Sequence, residues 1–148
     1  MTTFFPDLNV WMALSVKTHC HSEAAWKWLS MLPGSPVLIF SRYTQMGLLR
    51  LLTTAAVMGE QALNLERAWA VYDRWQHDPR IALYPEPQGL DRAFRQATAN
   101  FAAERASKLI GDCYLLAFAR QSEATLVTFD KALYKFARGE GQAAIVPV

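Results

Sequence analysis

Five short runs along the chain, 3–6, 37–40, 80–84, 125–129 and 144–147, are apolar or β-branched and bounded by turn or capping residues. Runs of this length read as buried strands. Between them the spacing becomes helical. Over 64–76, Leu65, Ala68, Trp69, Tyr72 and Trp75 make one apolar stripe behind Asn64, a residue with N-cap chemistry. Segments 21–32 and 41–53 follow the same rule, the second with Ser41 as cap and Tyr43, Met46 and Leu49 on one side. The span 88–104 predicts a more polar helix, and 111–121, apolar nearly all round, predicts an interior one. Strands alternating with helices of this length predict an α/β fold, with a mainly parallel sheet of about five strands covered on both faces. Nothing in the pattern divides residues 1–148 into more than one domain.

Composition narrows the picture. The chain has 148 residues, 52% of them apolar and 19% charged, which suits a folded unit and not a disordered tail. At this length folding buries roughly 68–70% of the extended chain's surface, enough for a core without disulfides or structural metal. Lys and Arg number 15 against 13 Asp and Glu, a formal +2 that is too small to mark a nucleic-acid binder by bulk charge. Cys20 and Cys113 match no zinc-ribbon spacing and are too few for a secreted disulfide scaffold. The start, MTTFFPDLNVW, has no basic leader, and no apolar run approaches the ~18 residues of a membrane span. The expectation is a cytoplasmic protein with no membrane segment.

Most acidic residues sit among polar neighbours, where solvation accounts for them. Three do not. Asp7 closes TTFFP, Asp130 closes TLVTF, and Asp112 opens GDCYLLAFA as the only side chain in that stretch charged at neutral pH. A carboxylate set against apolar structure costs several kcal/mol unless a cation or several donors compensate it. In a parallel α/β sheet the strand carboxyl ends and the amino ends of the following helices share one edge, where ligands bind at the topological switch point. All three aspartates are predicted there. Each alone reads as a helix N-cap. Together they repel and raise one another's pKa unless a divalent ion holds them. An all-oxygen set without a Cys or His cluster favours Mg2+ or Mn2+ over zinc.

The same residues carry a family pattern. FPDLNVWMALS, SRYTQMGLLRLLT, GDCYLLAFA and TLVTFDKAL, in that order over nearly the whole chain, resemble the PIN-domain ribonucleases, in particular the VapC-type toxins of bacterial toxin–antitoxin pairs. The resemblance implies a PIN-like three-layer α/β/α sandwich and an acidic pocket that binds Mg2+ or Mn2+ and hydrolyses RNA phosphodiester bonds. It also implies a cognate antitoxin protein that blocks the pocket, and a homodimer. Asp7, Asp112 and Asp130 match three of the family's four acidic residues. The fourth, a Glu on the helix after the second strand, is absent. Gln45 aligns with it, with Gly47 as the alternative. Gln45 offers a carbonyl oxygen to a metal or its water, but neither charge nor basicity.

On this reading Asp7 and Asp112 are direct metal ligands, Asp130 acts through water or holds a second ion, and Gln45 completes the catalytic group. Asn9 and Thr128 are expected to fix Asp7 and Asp130 by hydrogen bonds, a capping Asn and a strand Thr being the plain alternative. Arg42 and Arg50 on the Gln45 helix, and Lys108 before Asp112, are candidate contacts to substrate phosphates, although each singly reads as a solvated charge. His19 and His21 form an H-x-H that reads as a capping or surface feature. The five tryptophans, at helical spacing, read as core or partner-interface residues ahead of base-stacking ones. The missing Glu keeps a second function open: a catalytically weak PIN-like module that binds RNA or protein. A receiver-type phosphoacceptor would also gather aspartates at strand ends, but the Lys it needs near the last strands is not evident.

Overall fold

The computed structural model describes residues 2–147. Five strands, β1 (Thr3–Pro6), β2 (Val37–Phe40), β3 (Ile81–Leu83), β4 (Thr125–Val127) and β5 (Ala144–Ile145), form one sheet in the order β3-β2-β1-β4-β5. Every neighbouring pair is parallel. Around the sheet lie α1 (Leu8–Ser15), α2 (Ser22–Ser30), α3 (Arg42–Leu52), the single turn α4 (Ala55–Met58), α5 (Leu65–Gln76), α6 (Leu90–Ala99), α7 (Ile110–Gln121) and α8 (Lys131–Gly139). β1 and β2 match the sequence expectation, and the other three strands are trimmed at their ends.

Alternation along the strands sends side chains into two layers. Phe5, Ile39, Leu126 and Ala144 pack with residues of α6, α7 and α8 in one cluster. Leu38, Phe40, Ile81 and Val127 pack with α1, α2, α3 and α5 in the other. This is the expected three-layer α/β/α sandwich, and burial on both faces is why the strands read as continuous apolar runs. Local chemistry starts the helices where the sequence suggests. Ser41 Oγ accepts from Thr44 N–H at 3.1 Å while Thr44 Oγ1 accepts from Ser41 N–H at 2.9 Å, a reciprocal cap on α3. Asn64 Oδ1 accepts from Arg67 N–H at 2.9 Å and opens α5.

Three details depart from the pattern. Helix α6 stops at Ala99, short of the expected 104, where the Asn100 amide donates to the Ala97 carbonyl and the chain turns. The α5 stripe is wider than the surface the core covers: Ala68 and Tyr72 are buried, but Leu65 and Trp69 are 63% and 43% exposed. The tryptophans divide likewise. Trp11 is fully buried and stacked on Phe40 with ring centroids 3.8 Å apart, whereas Trp26 is exposed.

The topology fixes where a ligand meets the sheet. From β1 the connections run outward through β2 to β3, then return to β4 on the other side of β1. The direction therefore reverses between β1 and β4, and the crevice lies beyond their carboxyl ends.

Candidate active site

Asp7 is the first residue after β1, and its N–H donates to the Val127 carbonyl at 2.9 Å, tying the ends of β1 and β4 together. Its carboxylate caps α1: Oδ1 accepts from Val10 N–H at 3.0 Å. Oδ2 accepts from the hydroxyl of Thr128, a fully buried residue just past β4. The same hydroxyl oxygen accepts from Asp130 N–H at 2.9 Å. One threonine thus fixes the Asp7 side chain and the Asp130 main chain across the switch point. Asp130 caps α8, its Oδ1 accepting from Ala132 and Leu133 N–H at 2.8 and 3.2 Å, while Oδ2 takes part in neither bond. Asp112 sits half-buried in the first turn of α7, where the helix dipole favours a negative group.

The three carboxylates are close enough to feel one another's charge. Burial pushes the Asp7 carboxyl up from 3.8 to about 6, against the lowering effect of the Thr128 and Val10 bonds, and the charges of Asp130 and Asp112 push it further. Asp112 is also raised, first by burial and then by Asp130. Among the described residues the ion pairs are Arg80–Asp78 and Arg95–Asp91, so no basic side chain neutralises the three aspartates. Nor, among those residues, are any three Asp, Glu, His or Cys side chains placed as they stand to hold a metal ion together. The carboxylates stand at an open edge, two of them partly committed to helix caps. The capping reading holds for Asp7 and Asp130, whose carboxylates accept helix N–H bonds. Oxygen-only donors, buried at Asp7 and open to solvent at Asp130, with no basic partner have the chemistry that suits a hard divalent cation.

The PIN domain family profile matches residues 4–139. This chain belongs to the PIN domain family. A PIN-domain relative, Ribonuclease VapC41 of Mycobacterium tuberculosis, is 38% identical over 136 residues, 88% of this chain and 90% of that protein. Two solved structures share the PIN fold. VapBC2 from Rickettsia felis, bound to a DNA fragment from its promoter, gives a TM-score of 0.69 at 14% identity and covers 98% of both chains. The Mycobacterium tuberculosis toxin VapC20, described as cleaving the Sarcin-Ricin loop, gives 0.63 at 17% identity and covers 95% of this chain and 96% of its own.

The remaining family positions fall out differently. Gln45 is buried in the second turn of α3, but its Oε1 accepts from Arg42 Nη1 at 2.6 Å and it lies beside Tyr72. Its carbonyl is engaged with a guanidinium instead of standing free toward the carboxylates. Gly47 is a packing residue, because a Cβ there would stand 2.7 Å from the Leu8 side chain. Asn9 is exposed on α1, and among the described residues no hydrogen bond joins it to Asp7 or Asp130; Val10 N–H holds Asp7 instead. Arg42 and Lys108 are exposed beside the amino ends of α3 and α7, on the carboxyl edge. Arg50 is exposed in the last turn of α3, about 12 Å further along at 1.5 Å per residue, away from that edge. Sequence reasoning also missed Gly111, beside Asp112: a Cβ there would run into the Tyr43 hydroxyl, so a larger residue would have to displace the Tyr43 ring where the starts of α3 and α7 approach.

The Thr128 link has a measurable consequence. Thr128→Val deletes the bond that lowers the Asp7 pKa and leaves Asp130 N–H without its acceptor. RNA hydrolysis should fall about 10–100-fold if Asp7 acts as a ligand that Thr128 orients. The acid limb of the pH–rate profile should move to higher pH.

Proposed function

We infer that this chain is a metal-dependent endoribonuclease toxin that hydrolyses RNA phosphodiester bonds and is neutralised by a cognate antitoxin. The observation that carries this reading is the uncompensated Asp7, Asp112 and Asp130 group at the switch point of a PIN domain. The 38% identity to a ribonuclease over most of both chains supports it. The VapBC assembly found for a relative of the same fold supports an antitoxin partner. Among the described residues no helix is long and apolar enough to cross a membrane, which accords with a cytoplasmic RNA target.

Asp7 and Asp112 would hold Mg2+ or Mn2+ directly, since both are drawn into the structure without a counter-charge. Such an ion supplies the Lewis acidity that phosphodiester hydrolysis needs. Asp130, exposed and with Oδ2 outside its cap, would orient the attacking water and accept its proton. Thr128 keeps Asp7 and Asp130 in register. Arg42 and Lys108, on the same edge, are placed to meet substrate phosphates. The Arg42–Gln45 bond favours one rival, a catalytically weak module that binds RNA or protein, because a neutral amide held by arginine adds no charge to the site.

An RNA cleavage assay in Mg2+ or Mn2+ separates the two. The native chain should cut, and Asp112→Asn should cut about 10²-fold more slowly, equivalent to about 3 kcal/mol of charge stabilisation. Equal rates for native and variant would leave the binding module standing and remove the enzyme.

A further inference from the structure

His19 and His21 have no role in the site described so far, yet the fold brings them to it. A cleft of about 380 Å³ on the carboxyl edge is lined by Asn9, His19, Cys20, His21, Phe129 and Asp130. Asp130 lies both in this cleft and in the acidic group, so an occupant of the cleft adjoins the scissile phosphate. The lining has three kinds of chemistry. The His21 imidazole lies flat on the Phe129 ring, centroids 4.3 Å apart and planes 10° from parallel, while His21 remains exposed. This rigid aromatic pair is a stacking platform. His19 Nδ1 accepts from His21 N–H at 3.0 Å, which shapes the loop and leaves Nε2–H as the donor of a neutral imidazole. Burial and the neighbouring His21 hold the His19 pKa down, consistent with that form. The exposed Asn9 amide adds a donor and an acceptor.

A planar platform with edge donors and acceptors is the means by which unpaired RNA bases are held. The cleft volume is within the usual range for small-ligand sites. We propose that His21 and Phe129, with His19 and Asn9 at the edge, form a nucleobase subsite that seats one unpaired nucleotide next to the phosphodiester cut at the aspartates. The proposal rests on the ribonuclease reading and adds to it. The enzyme should select single-stranded segments, because a base still in its duplex cannot reach the platform.

The test uses a random-sequence single-stranded RNA oligomer carrying one 2-aminopurine, whose fluorescence is quenched on stacking, with the full chain in Mn2+. His21→Ala should raise KM about tenfold, in line with loss of one base stack, and should relieve the quench. His21→Phe should restore both. Asn9→Ala should raise KM without changing the quench. Since stacking carries no charge, the salt dependence of binding should be the same for native protein and His21→Ala, whereas loss of a phosphate contact would reduce it. His21 is exposed, and an unchanged melting temperature confirms that its replacement leaves the fold intact. If the native chain cuts the oligomer but His21→Ala and Asn9→Ala match it in KM and quench, the subsite is wrong and the ribonuclease reading stands. Equally fast cutting of duplex RNA also overturns the subsite alone. A native chain that neither binds nor cuts overturns both.

Discussion

Asp7→Asn is expected to melt later than the native chain at pH 8 in chelator-containing buffer, and to hydrolyse RNA about 10³-fold more slowly with Mn2+ restored. The two effects share a cause. Asp7 binds its proton more tightly in the folded chain, at about 6 against the ordinary 3.8. Its contribution to stability is therefore full below about pH 4 and is lost as pH rises through about 6. At ~1.4 kcal/mol per pH unit, the gap amounts to about 3 kcal/mol once Asp7 is ionised. Asparagine removes the buried charge and its repulsion from Asp130 and Asp112, and can still accept from Val10 N–H. It gives up the charge-assisted bond from Thr128, so the net gain at pH 8 should be about 1–2 kcal/mol, roughly 2–8 °C in melting temperature. Denaturation of native and variant chains across pH 4.5–8 checks this. The native stability should decline with pH while the variant's changes less, and a variant less stable at pH 8 would show that Asp7 is compensated after all.

Trp11→Ala should produce the largest loss of stability. The indole is fully buried, stacked on Phe40 and edge-on to Trp75 with centroids 5.5 Å apart, so it joins α1, β2 and α5. Truncating a buried tryptophan typically costs about 3–5 kcal/mol through lost transfer energy and the cavity left behind. For a chain of this length that is roughly 6–20 °C. Among the described residues Trp11 Nε1 has no hydrogen-bond partner, so Trp11→Phe gives up area without orphaning a polar group and should cost much less. Urea midpoints for the two variants test the assignment. Similar losses for Phe and Ala would mean that the indole contributes through something other than packing.

The fold was legible wherever one physical signal dominated. Short apolar runs marked all five strands because both faces of the sheet are covered, and Ser41 and Asn64 marked helix starts because their side chains satisfy free amides. Helix α1 was harder to see. Val10 to Leu14 are all buried, which erases the polar face that gives a helix its period. Helix α8 carries a signal, Asp130 as cap with Leu133 and Ala137 on one face, of which the sequence reading used the cap but not the helix behind it. The strand order came from tertiary packing alone.

At the site, the three aspartates were visible as charges in apolar surroundings, and Thr128 through its place between strand and carboxylate. The expected Asn9 bond to Asp7 or Asp130 is not found among the described residues, because adjacency in sequence does not say which way a helical side chain points. The His21–Phe129 stack was invisible, since its members come from segments far apart in the chain. Gln45 could be aligned with the missing Glu, but not its attachment to Arg42, which depends on one helical turn of geometry.

The central proposal is that Asp7 and Asp112 hold a divalent cation, with Asp130 beside it. Isothermal titration of the full chain with Mn2+ at pH 5 and pH 7.5, beside Asp7→Asn and Asp112→Asn, addresses it directly. The native chain should bind Mn2+ at the higher pH and far more weakly at the lower, where Asp7 is protonated, and both variants should lose most of the heat at pH 7.5. Undiminished Mn2+ binding by both variants, or native binding equal at the two pH values, would contradict it.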